Sequence, residues 1–266
     1  MPAGDRHVPR KRFGQHFLHD AGVIRRIVEA IAPAPQDVIV EIGPGEGVLT
    51  RALLARCPRV EAIEIDRDLA AQLAAGGIRV HVADALEFDF GAFPPGTRVV
   101  GNLPYNISTP LLFHLLRHAG RIRDLHFMLQ LEVVQRMVAR PSTTEYGRLS
   151  VMLQARFAMQ KLFRVAPGAF RPPPKVDSAV VRMVPLGAPL GCDEKVFEQV
   201  VREAFSARRK TLRNALPLSA DQYAELGMDA RLRPENLSPQ DYVRIALRVG
   251  RGERGVAVPG GGNGGT

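Results

Sequence analysis

Cysteine is almost missing from this chain of 266 residues: Cys57 and Cys192 are the only two, and they lie far apart. That spacing offers neither a disulfide framework nor a metal-type cysteine pair, so both are read as reduced thiols. No apolar run approaches the roughly 20 residues that a membrane-spanning helix needs. The first basic residues are not followed by an apolar stretch, so the opening does not read as a signal peptide, and a cytoplasmic protein is expected. There is no internal repeat, and no basic amphipathic helix with bulky apolar anchors. His114 and His118 stand four apart, but no carboxylate of fitting spacing joins them, so no metal is expected. Acids are also in deficit: Lys and Arg number 36 against 27 Asp and Glu, a net charge of +9 with a pI near 10.2. Such a balance favours a polyanionic partner. With no membrane-seeking helix in view, nucleic acid is preferred over an anionic bilayer.

A composition of 45% hydrophobic and 24% charged residues suits one large globular domain plus a smaller one. Residues 1–12, with Arg6, Arg10, Lys11 and Arg12 against Asp5, read as a basic arm. From 38 onward short apolar strands alternate with helix-spaced segments. Strands are expected over 38–42, 60–65, 78–82, 98–101 and 125–129; helices over 48–56, 69–75 and 110–116. Alternation of this kind implies an α/β fold, a Rossmann-like parallel sheet with helices on both faces. A large domain over 13–186 is expected, then a linker at 185–189. A small helical domain over 187–250 includes helices at 196–205 and 239–247. A glycine-rich tail over 251–266 is expected to be disordered.

In parallel sheets ligands sit beyond the carboxyl ends of the strands. The residues expected there are Gly43, Glu64, Asp84 and Asn102. Gly43-Pro44-Gly45-Glu46-Gly47 lies between a strand and a helix, where glycines permit a sharp turn and close approach of a ligand. Amides at the helix start would meet a carboxylate. The pattern is G-x-G-x-G rather than G-x-G-x-x-G, and the strand before it carries Glu41. Both features disfavour the pyrophosphate of NAD and suit the amino-acid end of S-adenosylmethionine. Glu64, about 20 residues on, is placed to accept from ribose hydroxyls. Asp66 is the competing acid and is read rather as a cap of the next helix. Asp84 can accept from an adenine amine.

Asn102-Leu103-Pro104-Tyr105 follows the fourth strand. The exocyclic amine of adenine is a poor nucleophile because its lone pair delocalises into the ring. Two acceptors on its N–H bonds localise that pair. The Asn102 side-chain oxygen and the Leu103 carbonyl, presented by the turn that Pro104 fixes, are those acceptors. Tyr105 offers a ring for the base to stack on. Neither a metal nor a covalent nucleophile is required, and positioning does most of the work. A neutral amide can accept from a primary amine and again from the secondary amine that one methylation leaves, so two successive transfers are expected.

With these residues in hand, the chain resembles the small-subunit (16S) ribosomal RNA adenine dimethyltransferases over nearly its whole length. The similarity rests on Arg12-Phe13-Gly14-Gln15-His16-Phe17-Leu18, the glycine turn, Ile63-Glu64-Ile65-Asp66, Asn102-Leu103-Pro104-Tyr105-Asn106-Ile107-Ser108, Phe170-Arg171-Pro172-Pro173-Pro174-Lys175-Val176-Asp177-Ser178, and the run from Phe205 to Asn214. The resemblance implies dimethylation of two adjacent adenosines in a hairpin loop near the 3′ end of that RNA, with a late role in subunit assembly. By position it implies cofactor contacts at His16, Leu18, Gly43, Glu64, Asp84 and Asn102, beside Gly45 in the turn. The family usually has Asn where this chain has His16. A side-chain contact there would change in strength and pH dependence, whereas a backbone contact would not.

The resemblance also places Phe170 against the target base opposite Tyr105, with a core phenylalanine as the competing reading, and turns Lys175 to phosphate. Arg208, Arg209, Lys210 and Arg213 are read as one helical stretch whose basic half meets RNA. The partner is then small-subunit RNA or a precursor of the 30S subunit, met by a monomer. Competing readings are a DNA adenine methyltransferase, the related enzymes that dimethylate large-subunit RNA, and an assembly factor that has kept the fold without catalysis. The run from Arg208 to Asn214 favours the small-subunit reading over the large-subunit one.

Overall fold

The structure, a computed structural model, describes residues 15–254. The expected basic arm over 1–12 lies outside the described residues, as does the expected glycine-rich tail beyond 254. The chain divides into two compact units. One holds the residues up to Val138 together with Arg156–Gly187; the other holds Ala139–Ala155 and everything from Ala188 on.

The first unit begins with β1 (Phe17–Leu18) and α1 (Ala21–Ile31), followed by β2 (Ile39–Ile42), α2 (Val48–Leu54), β3 (Val60–Glu64), α3 (Arg67–Ala75) and β4 (Arg79–Val82). It continues through β5 (Thr97–Asn102), α4 (Ser108–Leu116), β6 (Ile122–Gln130) and α5 (Leu131–Met137). It closes with β7 (Phe157–Val165), β8 (Phe170–Arg171) and β9 (Ser178–Pro185). Local chemistry sets the helix ends. Asp20 caps α1 by accepting from the Val23 amide (2.9 Å), and Asp66 caps α3 by accepting from that of Asp68 (3.0 Å). Ala32 closes α1 in a left-handed conformation, φ 47°. Ile27, Val28 and Ile31 form the buried stripe of α1.

The seven-stranded sheet runs β4-β3-β2-β5-β6-β9-β7, with helices on both faces. The five strands from β4 to β6 are parallel, as the sequence pattern implies. β9 is antiparallel to β6, and β7 antiparallel to β9, so the sheet is mixed. These two strands, and the short antiparallel pair β1-β8, extend the expected architecture. β7 is an edge strand with an irregularity between Lys161 and Phe163 and several exposed residues, so no clean alternation marks it.

At the amino end of β5, Arg98 is only 4% exposed. Its guanidinium donates to both carboxylate oxygens of Asp124 (2.8 and 2.9 Å), to Asp37 (2.9 Å), and to the carbonyls of Ile31 (2.5 Å) and Ala32 (3.3 Å). Burial opposes the charge of Arg98, but Asp124 and Asp37 outweigh it and hold its pKa above the ordinary value. Burial likewise works against the Asp37 carboxylate. The Ala34 amide and Arg98 overcome it and depress its pKa. One side chain thus ties β5, β6 and the carboxyl end of α1 together.

The second unit is helical: α6 (Arg148–Gln154), α7 (Glu194–Ser206), α8 (Leu212–Ala215), α9 (Ala220–Glu225) and α10 (Pro239–Arg254). Residues 139–155 fall inside the expected 13–186 stretch, yet they pack here. Tyr146 is fully buried and its hydroxyl donates to the Leu237 carbonyl (2.8 Å), and the Ser142 amide donates to that of Glu235 (2.8 Å). α10 runs four residues into the expected tail.

Replacing Arg98 with Met removes the cation and leaves two buried carboxylates without it. The Arg98→Met variant is expected to lose about 3–5 kcal/mol of stability in urea unfolding. A loss below about 1 kcal/mol would show that the network does not hold these elements together.

Candidate active site

From β2 the chain steps outward through β3 to β4, then crosses back to lay β5 on the other side of β2. The crevice at such a reversal, at the carboxyl ends of β2 and β5, is where an open α/β sheet takes a ligand. The two strands come very close there. A Cβ at Gly101 would lie 2.6 Å from the Ile42 carbonyl oxygen, so no other residue fits without backbone movement. Just past β2, Gly43, Gly45 and Gly47 all take positive φ (64°, 57° and 75°), which glycine alone adopts freely. A Cβ at Gly45 would strike the Phe17 ring at 2.8 Å, so β1 closes directly onto the loop.

The resulting pocket brings together ten of the residues singled out in the sequence: His16, Leu18, Gly43, Gly45, Glu64, Asp84, Asn102, Leu103, Pro104 and Tyr105. Glu64 ends β3. One of its oxygens accepts from the Asp66 amide (2.9 Å) and the other from that of Gly45 (3.3 Å). Burial pushes its pKa up, and these two amides pull against the rise. Asp84, two residues past β4, accepts from the Leu86 amide (2.9 Å). The two acids stand at neighbouring strand ends, where carboxylates can accept from the hydroxyls and amine of a nucleoside.

The Asn102 side-chain amide donates to the backbone carbonyl of His16 (2.9 Å). A carbonyl can only accept, so this contact assigns the NH2 group to His16 and turns the Asn102 oxygen the other way. The His16 ring donates through Nδ1 to the Pro172 carbonyl (2.8 Å) and lies 5.5 Å from the Tyr105 ring, tilted by 32°. His16 therefore acts on Asn102 through its backbone and on the proline loop through its side chain. The Leu103 amide donates to the Met128 carbonyl (3.2 Å). The Tyr105 hydroxyl meets that of Ser178 at 2.8 Å.

Other expected residues lie elsewhere. Phe170 is 3% exposed, pairs with Leu18 across β1-β8 and belongs to the core cluster that includes Ile27, Ile31 and Leu49. It does not line the pocket, and its packing is that of the competing core reading. Lys175 is exposed on its loop. The basic run is not one helical stretch: α7 ends at Ser206, Arg208 to Lys210 form a turn, and Arg213 sits in the short α8. Arg208 is engaged within its own unit, donating to Glu235 (2.6 Å) and to the Thr144 carbonyl (2.9 Å). Arg209, Lys210 and Arg213 are exposed.

Two residues outside the expected set matter. Ser178 is one, within a quoted motif. Glu41 is the other: it lines the pocket, is 2% exposed, and accepts from the Thr50 hydroxyl at 2.6 Å. Its signal was an acid inside an otherwise apolar strand. Burial pushes its pKa up to about 7; Thr50 opposes the rise, and the neighbouring Glu64 charge adds to it.

Comparison with known proteins gives consistent results. The family model described as ribosomal RNA adenine dimethylase matches residues 6–249. A ribosomal RNA small subunit methyltransferase A from Nitrosospira multiformis is 56% identical over 247 residues, 90% of this chain and 95% of that protein. A dimethyladenosine transferase from Plasmodium falciparum superposes with a TM-score of 0.78 at 26% identity, covering 90% of this chain and 98% of the other. The 23S rRNA methyltransferase ErmE does so with a TM-score of 0.66 at 29% identity, covering 88% of this chain and 99% of the other.

The folded state favours protonated Glu41, because its pKa is raised from 4.5 to about 7. Its contribution is therefore greatest below pH 4.5 and is lost as pH rises to about 7, a change of about 3 kcal/mol at most. Urea unfolding of wild type and Glu41→Gln at pH 5 and pH 8 is expected to show wild type losing stability relative to the variant at the higher pH. Parallel behaviour of the two proteins would contradict this.

Proposed function

The chain belongs to the ribosomal RNA adenine dimethylase family, and from that membership we infer that it dimethylates the N6 amine of adenine in small-subunit ribosomal RNA, with S-adenosylmethionine as methyl donor. The pocket's donor set fits that cofactor. Glu64 and Asp84 are carboxylate acceptors at adjacent strand ends for the ribose hydroxyls and the adenine amine. The backbone at Gly43 is open to close approach, because a Cβ there would meet nothing nearer than 3.9 Å, while Gly45 lets Phe17 pack onto the loop. His16, Leu18, Gly43 and Asn102 complete the proposed contacts. When bound, S-adenosylmethionine supplies a methyl group already activated by its sulfonium.

The orientation of Asn102 carries the mechanistic reading. Its NH2 group is committed to the His16 carbonyl, so its oxygen is the atom left to accept from the adenine amine. The Leu103 carbonyl is the proposed second acceptor, on a backbone held by Met128 and followed by Pro104. Together they localise the nitrogen lone pair toward the methyl group, and Tyr105 holds the base plane by stacking. Each transfer leaves one surplus proton on the nitrogen, which passes to solvent. Asn102 stays neutral throughout, so an acceptor remains for the single N–H of the secondary amine in a second transfer.

The finer assignments extend this reading. The targets are two adjacent adenosines in a hairpin loop near the 3′ end, presented on a late precursor of the small subunit in the cytoplasm to a monomeric enzyme. Lys175, Arg209, Lys210 and Arg213 are exposed cations suited to phosphate. Arg208 is held instead by Glu235 and the Thr144 carbonyl. Catalysis needs no metal.

Methyl transfer from labelled S-adenosylmethionine to undermethylated small subunits tests the reading. Wild type is expected to yield dimethyladenosine by mass spectrometry, and Asn102→Ala to be slower by about 100-fold or more. A product that stops at monomethyladenosine would overturn the double transfer. Transfer to large-subunit RNA or DNA in place of small subunits would overturn the substrate.

A further inference from the structure

We infer that Ser178 is a positioning residue for methyl transfer: its buried hydroxyl holds the far end of the Tyr105 side chain and so fixes where the ring stands on which the target base stacks. This rests on the adenine-methylating reading of the pocket.

A phenylalanine at 105 would stack on a base as well as a tyrosine does, so the hydroxyl calls for its own explanation. It does not face the pocket's reacting centre unengaged; it is bonded to the Ser178 hydroxyl at 2.8 Å. Ser178 is a fixed point. It is 1% exposed, opens β9, and is held in register with Gln130 of β6 on one side and Val165 of β7 on the other. Tyr105, by contrast, sits in a turn after β5, tethered there by the Ser108 hydroxyl donating to its carbonyl (3.1 Å). A ring on a turn can swing between the staggered rotamers of χ1, and one bond at its far end holds it in one of them. The ring also lies beside that of His16, with centroids 5.5 Å apart, and His16 is itself anchored to the Pro172 carbonyl. Burial, with the nearby Asp177 charge, pushes the Tyr105 pKa up against the effect of the Ser178 bond, so the group stays a neutral phenol that can share that bond. The hydroxyl pair therefore ties the base-stacking ring to the antiparallel half of the sheet.

The test is a double-mutant cycle of Ser178→Ala and Tyr105→Phe, with kcat measured on undermethylated small subunits at saturating cofactor. Melting temperature and S-adenosylmethionine affinity are measured alongside. Each single variant is expected to lower kcat by about 5- to 10-fold, the effect of one neutral hydrogen bond. Cofactor affinity should stay at the wild-type value, the melting temperature should fall by only a few degrees, and the double variant should be no slower than the slower single one. Wild-type kcat in Ser178→Ala, or losses that multiply in the double variant, would overturn the positioning role. If Ser178→Ala does not fold, Tyr105→Phe decides alone, and an unchanged kcat there overturns it. A wild-type enzyme that methylates no adenine would remove the underlying reading instead, whatever the variants do.

Discussion

Between the Gly101 α-carbon and the Ile42 carbonyl there is no room for a methyl group. That contact joins β2 to β5 where the strand order reverses, and the site is built outward from it. Because the two strands end side by side, the glycine loop that follows one and the Asn-Leu-Pro-Tyr turn that follows the other share one pocket. The carboxylates of Glu64 and Asp84 then fall at the next two strand ends. At the opposite end of β5, Arg98 secures the same strand to β6 and α1. β5 is thus held by charge at its start and by steric fit at its finish.

His16 gives the pocket its far wall. The geometry shows how a change of side chain is accommodated at this position. The bond that orients Asn102 comes from the His16 backbone, which any residue supplies. The imidazole is spent on the Pro172 carbonyl, joining β1 to the loop that leads into β9. Phe17 and Leu18, next in line, pair with Arg171 and Phe170 and close onto Gly45. The wall is therefore continuous from the glycine loop to Tyr105.

Much of this was legible in the sequence because the constraints act on single residues in order. Glycines that must take positive φ, acids at strand ends and an Asn two residues before a Pro leave their marks one at a time, and the pocket collects Gly43, Gly45, Glu64, Asp84 and Asn102. What was not legible depends on partners far away in the chain. Phe170 looks like a stacking residue until its pairing with Leu18 buries it. Arg208 looks like a free cation until Glu235 and Thr144 take it. Residues 139–155 carry no boundary signal; long-range bonds such as those of Tyr146 to Leu237 and of Ser142 to Glu235 assign them to the helical unit. Glu41 was visible as an oddity, but its raised pKa follows from burial that a strand pattern alone does not report.

In the proposed mechanism Asn102 serves as an acceptor because its NH2 group is held by the His16 carbonyl. The rate of methyl transfer by Asn102→Asp, at saturating S-adenosylmethionine on undermethylated small subunits, tests it most directly. Aspartate keeps an acceptor for the adenine amine but has no donor for His16, and its charge would face that carbonyl. A fall of about 100-fold or more is expected, close to that of an alanine at the same position. An aspartate variant that turns over at the wild-type rate would contradict it, since an acceptor alone would then suffice.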